Sequence, residues 1–247
     1  MATPSRSTRM SESAASRPLA VPPRESAHSA GPALHHQFED IEQQRDAGNF
    51  GMWVFLATEM LFFGGVFTDY IIYRSLYYSG FAAGSHGLEI DLGAAMMFVL
   101  LASSFTMAMA VHAAREGKHR PLIGFLTATI ILGIAFLGMK FTEYFHKWQE
   151  HMVPGLNFHP ALENLRGAPE RTVELFMCFY FFMTGLHALH MIIGIGLLTV
   201  MAILAWRGKI SREDYNRVEV SGLYWHFVDI IWIYLFPLLY LIGGRYK

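Results

Sequence analysis

The sequence predicts an all-α fold, a polytopic membrane bundle of five transmembrane helices. Three observations carry this. The 247-residue chain is 53% hydrophobic and 15% aromatic but only 16% charged, against about 25% charged in an ordinary soluble domain. Its apolar residues gather into five long runs, each of a length that can cross a bilayer, for which about 20 residues suffice. Within the runs there is no strict alternation of apolar and polar residues, which a membrane barrel would need.

The spans read as Phe50–Tyr73, Leu92–Ala114, Leu122–Phe145, Leu175–Trp206 and Val220–Gly243. They assign residues 47–247 to the bundle, with no second soluble domain. Residues 1–46 are rich in Ser, Ala, Pro and Arg. They lack the apolar core of a secretory signal, and their prolines oppose the amphipathic helix of a transit peptide. A disordered tail is expected there. The net charge of −1 gives no basic surface for nucleic acid. The single cysteine, Cys178, excludes an internal disulfide and reads as a small packing residue within an apolar run.

Lysines and arginines set orientation. One side of the bundle collects Arg6, Arg9, Arg17, Arg24, Arg45, Arg115, Lys118, Arg120, Arg207, Lys209, Arg212 and Arg217. The other has Arg74, Lys147, Arg166, Arg171, Arg245 and Lys247. The bias places the N-terminus, with its tail, inside and the C-terminus outside. The inner connections are short, so spans two and three, and spans four and five, are expected as antiparallel neighbours. The outer connection His146–Thr172 is longer and holds Pro154, Pro160 and Pro169, so a structured cap is expected. Span four carries no acidic or basic residue other than histidine. It is longer than a ~30 Å core requires and must tilt or project.

Charged groups in a span cost at least ~2.5 kcal/mol at mid-depth unless partnered. Glu59 and Asp69 lie in span one, and Lys140 and Glu143 in span three. His187 and His190 lie in span four, and His226 and Asp229 in span five. Lys140 and Glu143 stand i,i+3 and can pair along their own helix with no distant partner. Asp69 lies close enough to the outer end to be hydrated. Counted at about 1.5 Å per residue, Glu59, His226 and Asp229 share a height to within a turn. His190 approaches that height from the reversed span four, so a carboxylate–imidazole cluster in the inner half of the bundle is geometrically open. Histidines 112, 187, 190 and 226 lie on three helices, which keeps a haem or metal site among the readings. No CxxCH is present, and the candidates spread over many heights. A transporter would want broken helices and repeated halves, which five spans do not supply. On spacing alone the leading reading is that the polar groups pair and pin helix packing.

Several ordered motifs then narrow the reading. Trp225-His226-Phe227-Val228-Asp229 with Trp232 resembles the last helix of cytochrome c oxidase subunit III. Glu59 in ATEMLFFGG resembles the family's helix with a buried carboxylate, and Thr142-Glu143-Tyr144 its Ser/Thr-Glu-Tyr element. Thr184-Gly185-Leu186-His187-Ala188-Leu189-His190 is similar to the family's TGxHxxH helix, and Glu219 precedes His226 at the family spacing. The resemblance runs from about Phe38 to Gly244. The seven-span form has two further helices before these; this chain is similar to the five-span bacterial form.

The resemblance implies a non-catalytic subunit of a proton-pumping cytochrome c oxidase, binding no redox centre itself, with haem and copper in partner subunits. It implies subunit I as main contact, subunit II, structural phospholipid and, as a further candidate, a respiratory supercomplex. It implies support of subunit I stability and proton uptake, and a place in the bacterial cytoplasmic membrane. Glu59 is expected to be protonated or strongly hydrogen-bonded. His226 and Asp229 are expected to pair and orient span five. Arg207 falls where the family meets lipid phosphate, and Trp225 and Trp232 are candidates for lipid contact or packing. The alternatives are subunit III of a quinol oxidase, a five-span accessory protein of nitric oxide reductase, and, from another class, a stand-alone membrane transporter.

Overall fold

The structure is a computed structural model describing residues 41–155, 157–161, 165–208, 210 and 215–241. Among these, five helices are long and apolar enough to cross a membrane. In chain order the elements are α1 (Ile41–Leu76), α2 (Tyr78–His86), α3 (Ile90–Arg115), α4 (His119–Gln149), a two-stranded hairpin, α5 (Glu170–Trp206) and α6 (Asn216–Phe236). Alpha-6 runs on into a π-helical turn, Pro237–Leu241. We call the end where α1 begins proximal and the other end distal.

Alpha-1 outruns its apolar stretch, because good helix formers continue it past the hydrophobic residues. Glu42 and Gln43 do so for α1. Residues 41–46 are therefore helix, which corrects their assignment to the tail. The tail up to residue 40 lies outside the described residues, as does the expected end of span five at Gly243. Alpha-2 was not among the expected elements: nine residues, six of them Gly, Ala or Ser, give no hydrophobic period.

Alpha-3 and α4 pack as antiparallel neighbours, as do α5 and α6. The turn between α3 and α4 explains its brevity. Gly117 adopts φ +72°, the left-handed cap conformation that glycine takes without strain. The Lys118 N–H donates to Ala113 O, and the Gly117 N–H to Ala114 O. These two bonds form a Schellman cap that satisfies the last carbonyls of α3. The hairpin pairs Met152–Val153 with Asn157–Phe158. It caps the distal end, with Met152 and Phe158 buried and Met152–Val153 against α4 and α5. Buried Lys147 ties α4 to the turn after α2, donating to Gly87 O at 2.6 Å and pairing with Glu150.

Alpha-6 is the central helix, with 61% of its apolar window buried, and α1 is the peripheral one, with 11%. Trp225 of α6 is fully enclosed. A Cβ built at Gly133 of α4 would lie 2.8 Å from its ring, and one at Gly194 of α5 3.0 Å from it. The indole thus needs two glycines on two helices. Its N–H donates to Ser103 Oγ of α3 at 3.0 Å.

The buried charges of α4 are met at the distal end. Lys140 and Glu143 pair at 2.8 Å with almost no exposure. The sequence reading that this pair needs no distant partner is corrected. The ammonium also donates to Tyr180 Oη of α5 at 3.0 Å and Tyr240 Oη at 3.1 Å. The Tyr240 hydroxyl donates to both carboxylate oxygens, at 2.7 and 2.9 Å. The π-turn presents Tyr240. Pro237 has no N–H to continue the ladder, so the helix widens. Tyr70 of α1 donates to Leu238 O at 3.1 Å, and Ser85 of α2 to Leu239 O at 2.8 Å. Five elements meet at this knot.

Removing one partner of a buried ion pair costs about 3–5 kcal/mol, because the other charge stays buried. Lys140→Met is therefore expected to lose about that much in thermal unfolding of the detergent-solubilised protein. Lys140→Met combined with Glu143→Leu should recover most of it. Equal losses in the single and double variants would show that the charges are not coupled.

Candidate functional site

The polar side chains that the sequence singles out fall into three groups along the bundle. The distal group is the Lys140–Glu143 knot. The middle group holds Glu59, His190, His187, His226 and Asp229. The proximal group is built around Glu219.

In the middle group, Glu59 of α1 reaches His190 of α5, with Oε2 3.3 Å from Nε2. His190 Nδ1 lies 2.9 Å from Leu186 O. A carbonyl only accepts, so Nδ1 carries a proton. His190 thereby turns its other ring nitrogen, Nε2, toward the Glu59 carboxylate. The main chain is engaged as well: Tyr224 of α6 donates to His190 O at 3.1 Å. Height matching placed Glu59 level with His226 and Asp229, with His190 approaching; of these the structure brings His190 to Glu59. Equal depth does not fix which faces of two helices meet.

His226 and Asp229 do not pair with each other, which corrects that expectation. Both turn to α3. His226 Nδ1 lies 2.7 Å from Ser104 Oγ. Ser104 also approaches Asp229, but neither carboxyl oxygen has a hydrogen-bond partner among the described residues, although the residue is buried. His187 is enclosed too, and neither ring nitrogen is hydrogen-bonded among the described residues. Its ring is held edge-on by Phe136 at 5.4 Å and tilted against Trp232 at 5.2 Å.

Trp225 and Trp232 are both fully buried. Their place as lipid-contact candidates is corrected: the glycines around Trp225, and Phe136 and His187 around Trp232, draw them into the bundle. Arg207 is exposed and caps the proximal end of α5, its N–H donating to Ile203 O. At the same end Glu219, half-buried, forms an ion pair with Arg115 of α3, whose guanidinium also lies 5.9 Å from the Tyr215 ring centre.

Two cavities flank this polar column. An apolar groove of about 420 Å³ between α1 and α6 is walled by Trp53, Met60, Phe67, Leu223, His226 and Tyr234, among others. A smaller pocket of about 240 Å³ at the proximal end is lined by His112, Arg115, Glu219 and His226. His226 borders both. Among the described residues, no group of three or more His, Cys, Asp or Glu is placed to hold a metal ion.

Sequence reasoning missed Ser103, Ser104, Tyr180 and Tyr240, all of which bond to residues it had singled out. The serine pair in an otherwise apolar span was a readable signal. The tyrosines were not, because only packing brings them to α4.

Five membrane-crossing helices tied by inward polar contacts define a multi-pass helical membrane subunit. Comparison with known proteins supplies the family. The profile described as Cytochrome c oxidase subunit III matches residues 171–244. The chain is 34% identical over 212 residues to cytochrome c oxidase subunit 3 of Synechocystis sp., covering 84% of this chain and 78% of that one. It is 29% identical over 206 residues to quinol oxidase subunit 3 of Bacillus subtilis, covering 82% and 92%. It is 28% identical over 213 residues to cytochrome bo(3) ubiquinol oxidase subunit 3 of Pseudomonas aeruginosa, covering 85% and 93%. The chain belongs to the cytochrome c oxidase subunit III family. It is a subunit III of a haem-copper oxidase and works within a complex of oxidase subunits.

A buried carboxyl whose oxygens find no partner carries a desolvation cost that an amide of the same shape shares, so the isosteric amide should be tolerated. Asp229→Asn is expected to change stability by less than about 1 kcal/mol in the same unfolding assay. A loss above about 2 kcal/mol would reveal a bond to Asp229 in the assembled protein.

Proposed function

We propose that this chain is the non-redox subunit III of a proton-pumping cytochrome c oxidase in a bacterial cytoplasmic membrane, with its proximal end on the inner side. Its role is indirect: it steadies subunit I beside subunit II, holds phospholipid and sustains proton uptake. The observation that carries this reading is the commitment of the span histidines to neighbours within the chain. His190 is taken by Leu186 O and Glu59, His226 by Ser104, and His187 by two aromatic rings. For His190 and His226 a ring nitrogen is used within the chain, and for His187 the ring is enclosed by aromatic side chains, which supports packing roles.

The lipid role is supported by the groove between α1 and α6, whose lining is almost wholly apolar and suits an acyl chain. Exposed Arg207 at the proximal end suits an anionic headgroup. The proton-uptake role is supported by the proximal pocket, where His112, Glu219 and Arg115 lie at the surface and His226 leads inward. Cytochrome c as donor is supported by the identity to the Synechocystis protein. The quinol oxidase reading has its own support: the chain spans more of the quinol oxidase relatives' length. Oxidation of reduced cytochrome c against oxidation of a quinol by the purified complex decides between them.

Two outcomes test the indirect role. Glu59→Gln should leave assembly and the first turnover of oxygen reduction intact in stopped-flow measurements; loss of the first turnover overturns it. His187→Ala should leave the haem absorption spectrum of the complex unchanged. A missing haem band would assign that histidine to a cofactor.

A further inference from the structure

The seam between α3 and α6 carries a line of polar side chains that starts at the proximal surface and ends inside the bundle. At the surface, His112 and Arg115 of α3 and Glu219 of α6 line the proximal pocket, and His226 is part of its wall. His112 and Arg115 are exposed, so water reaches the mouth. Glu219 and His226 stand two turns apart on one face of α6. Deeper in, His226 Nδ1 meets Ser104 Oγ of α3 at 2.7 Å. That contact leaves Nε2 as the ring nitrogen for the pocket. Ser104 also approaches Asp229, one turn further along α6.

Asp229 is where the line stops. It is buried, and neither carboxyl oxygen has a hydrogen-bond partner among the described residues. The buried charges Lys140, Glu143 and Lys147 each hold an ionic partner instead. A polar group that pins helices does so through a bond. Asp229 makes none, although a carboxylate at such depth is costly, so packing does not account for it.

We propose that Asp229 is a proton-storing site, loaded from the proximal side through His226 and Ser104. A proton from water in the pocket binds His226 Nε2. The imidazolium releases its Nδ1 proton to Ser104 Oγ, and the serine passes its own hydroxyl proton to a carboxylate oxygen of Asp229. Asp229 gains one proton, Ser104 gains none, and His226 ends as the other neutral tautomer. The reverse sequence returns the proton and resets the ring. A hydroxyl suits the middle position because it both donates and accepts. The inference deepens the proposed proton-uptake role by naming an inner terminus for it. Its test needs no turnover, so its failure leaves a role exerted through subunit I standing.

The test records infrared spectra of the whole purified complex on transfer from H2O to D2O, over the pH range in which it is stable. A carbonyl band of a protonated carboxyl group should be present and should vanish in Asp229→Asn. In the unaltered chain that band should shift as deuterium replaces the proton. Ser104→Ala and His226→Phe should slow the shift about a hundredfold, within the range a positioned proton-transfer group contributes. Ser104→Thr keeps the hydroxyl and should restore the rate. Ser103→Ala, which removes the neighbouring bond to Trp225, should not slow it. Mere loosening of the bundle would instead speed exchange in both alanine variants. That result, an unchanged rate in Ser104→Ala, or the absence of any carboxyl band removed by Asp229→Asn would each overturn the proposal.

Discussion

A lysine and a glutamate one turn apart on α4 are held where neither water nor lipid headgroup can reach them, and much of the bundle follows from what they need. Lys140 and Glu143 satisfy each other in part. Their remaining protons and lone pairs require hydroxyls from elsewhere, which Tyr180 and Tyr240 supply. Tyr240 can do so because Pro237 interrupts the helical ladder and widens the turn. The neighbouring carbonyls are then met by Tyr70 and Ser85. One charge pair thereby fixes α1, α2, α4, α5 and the end of α6 at a common level.

The same logic continues toward the proximal end with weaker bonds. Apolar packing gives no directional preference between helices in lipid, so single polar contacts set their relative rotation. Ser103 and Ser104 hold α3 to α6, Glu59 and His190 hold α1 to α5, and Arg115 and Glu219 close α3 on α6. This distribution ties the structure to the family's function. The polar residues are spent between helices, so the chain is built to keep a shape. Alpha-1, held least tightly, offers most of its surface outward.

The helix count and fold class were legible because they depend on one-dimensional hydropathy. The Lys140–Glu143 pair was legible because i,i+3 spacing is local. Tyr180 and Tyr240 were not, since they lie 40 and 100 residues from Lys140 and only packing makes them neighbours. Glu59 was recognised as a polar residue sharing its height with His226, Asp229 and the approaching His190, but counting residues yields height and leaves azimuth free, so which of them it meets was not legible. Trp225 and Trp232 read as residues for either packing or lipid contact, because the sequence alone does not pair them with Gly133, Gly194 and Phe136 on other helices. Alpha-2 and the π-turn lack any hydrophobic period, so nothing in the pattern announced them.

The central claim is that this subunit shapes its complex without holding a redox centre. Haem and copper per subunit I, measured by pyridine haemochrome and metal analysis, test it most directly in complexes purified with and without this chain. The account predicts the same content in both, with activity that decays faster over successive turnovers when the chain is missing. Loss of one haem or one copper equivalent on removing the chain would contradict it.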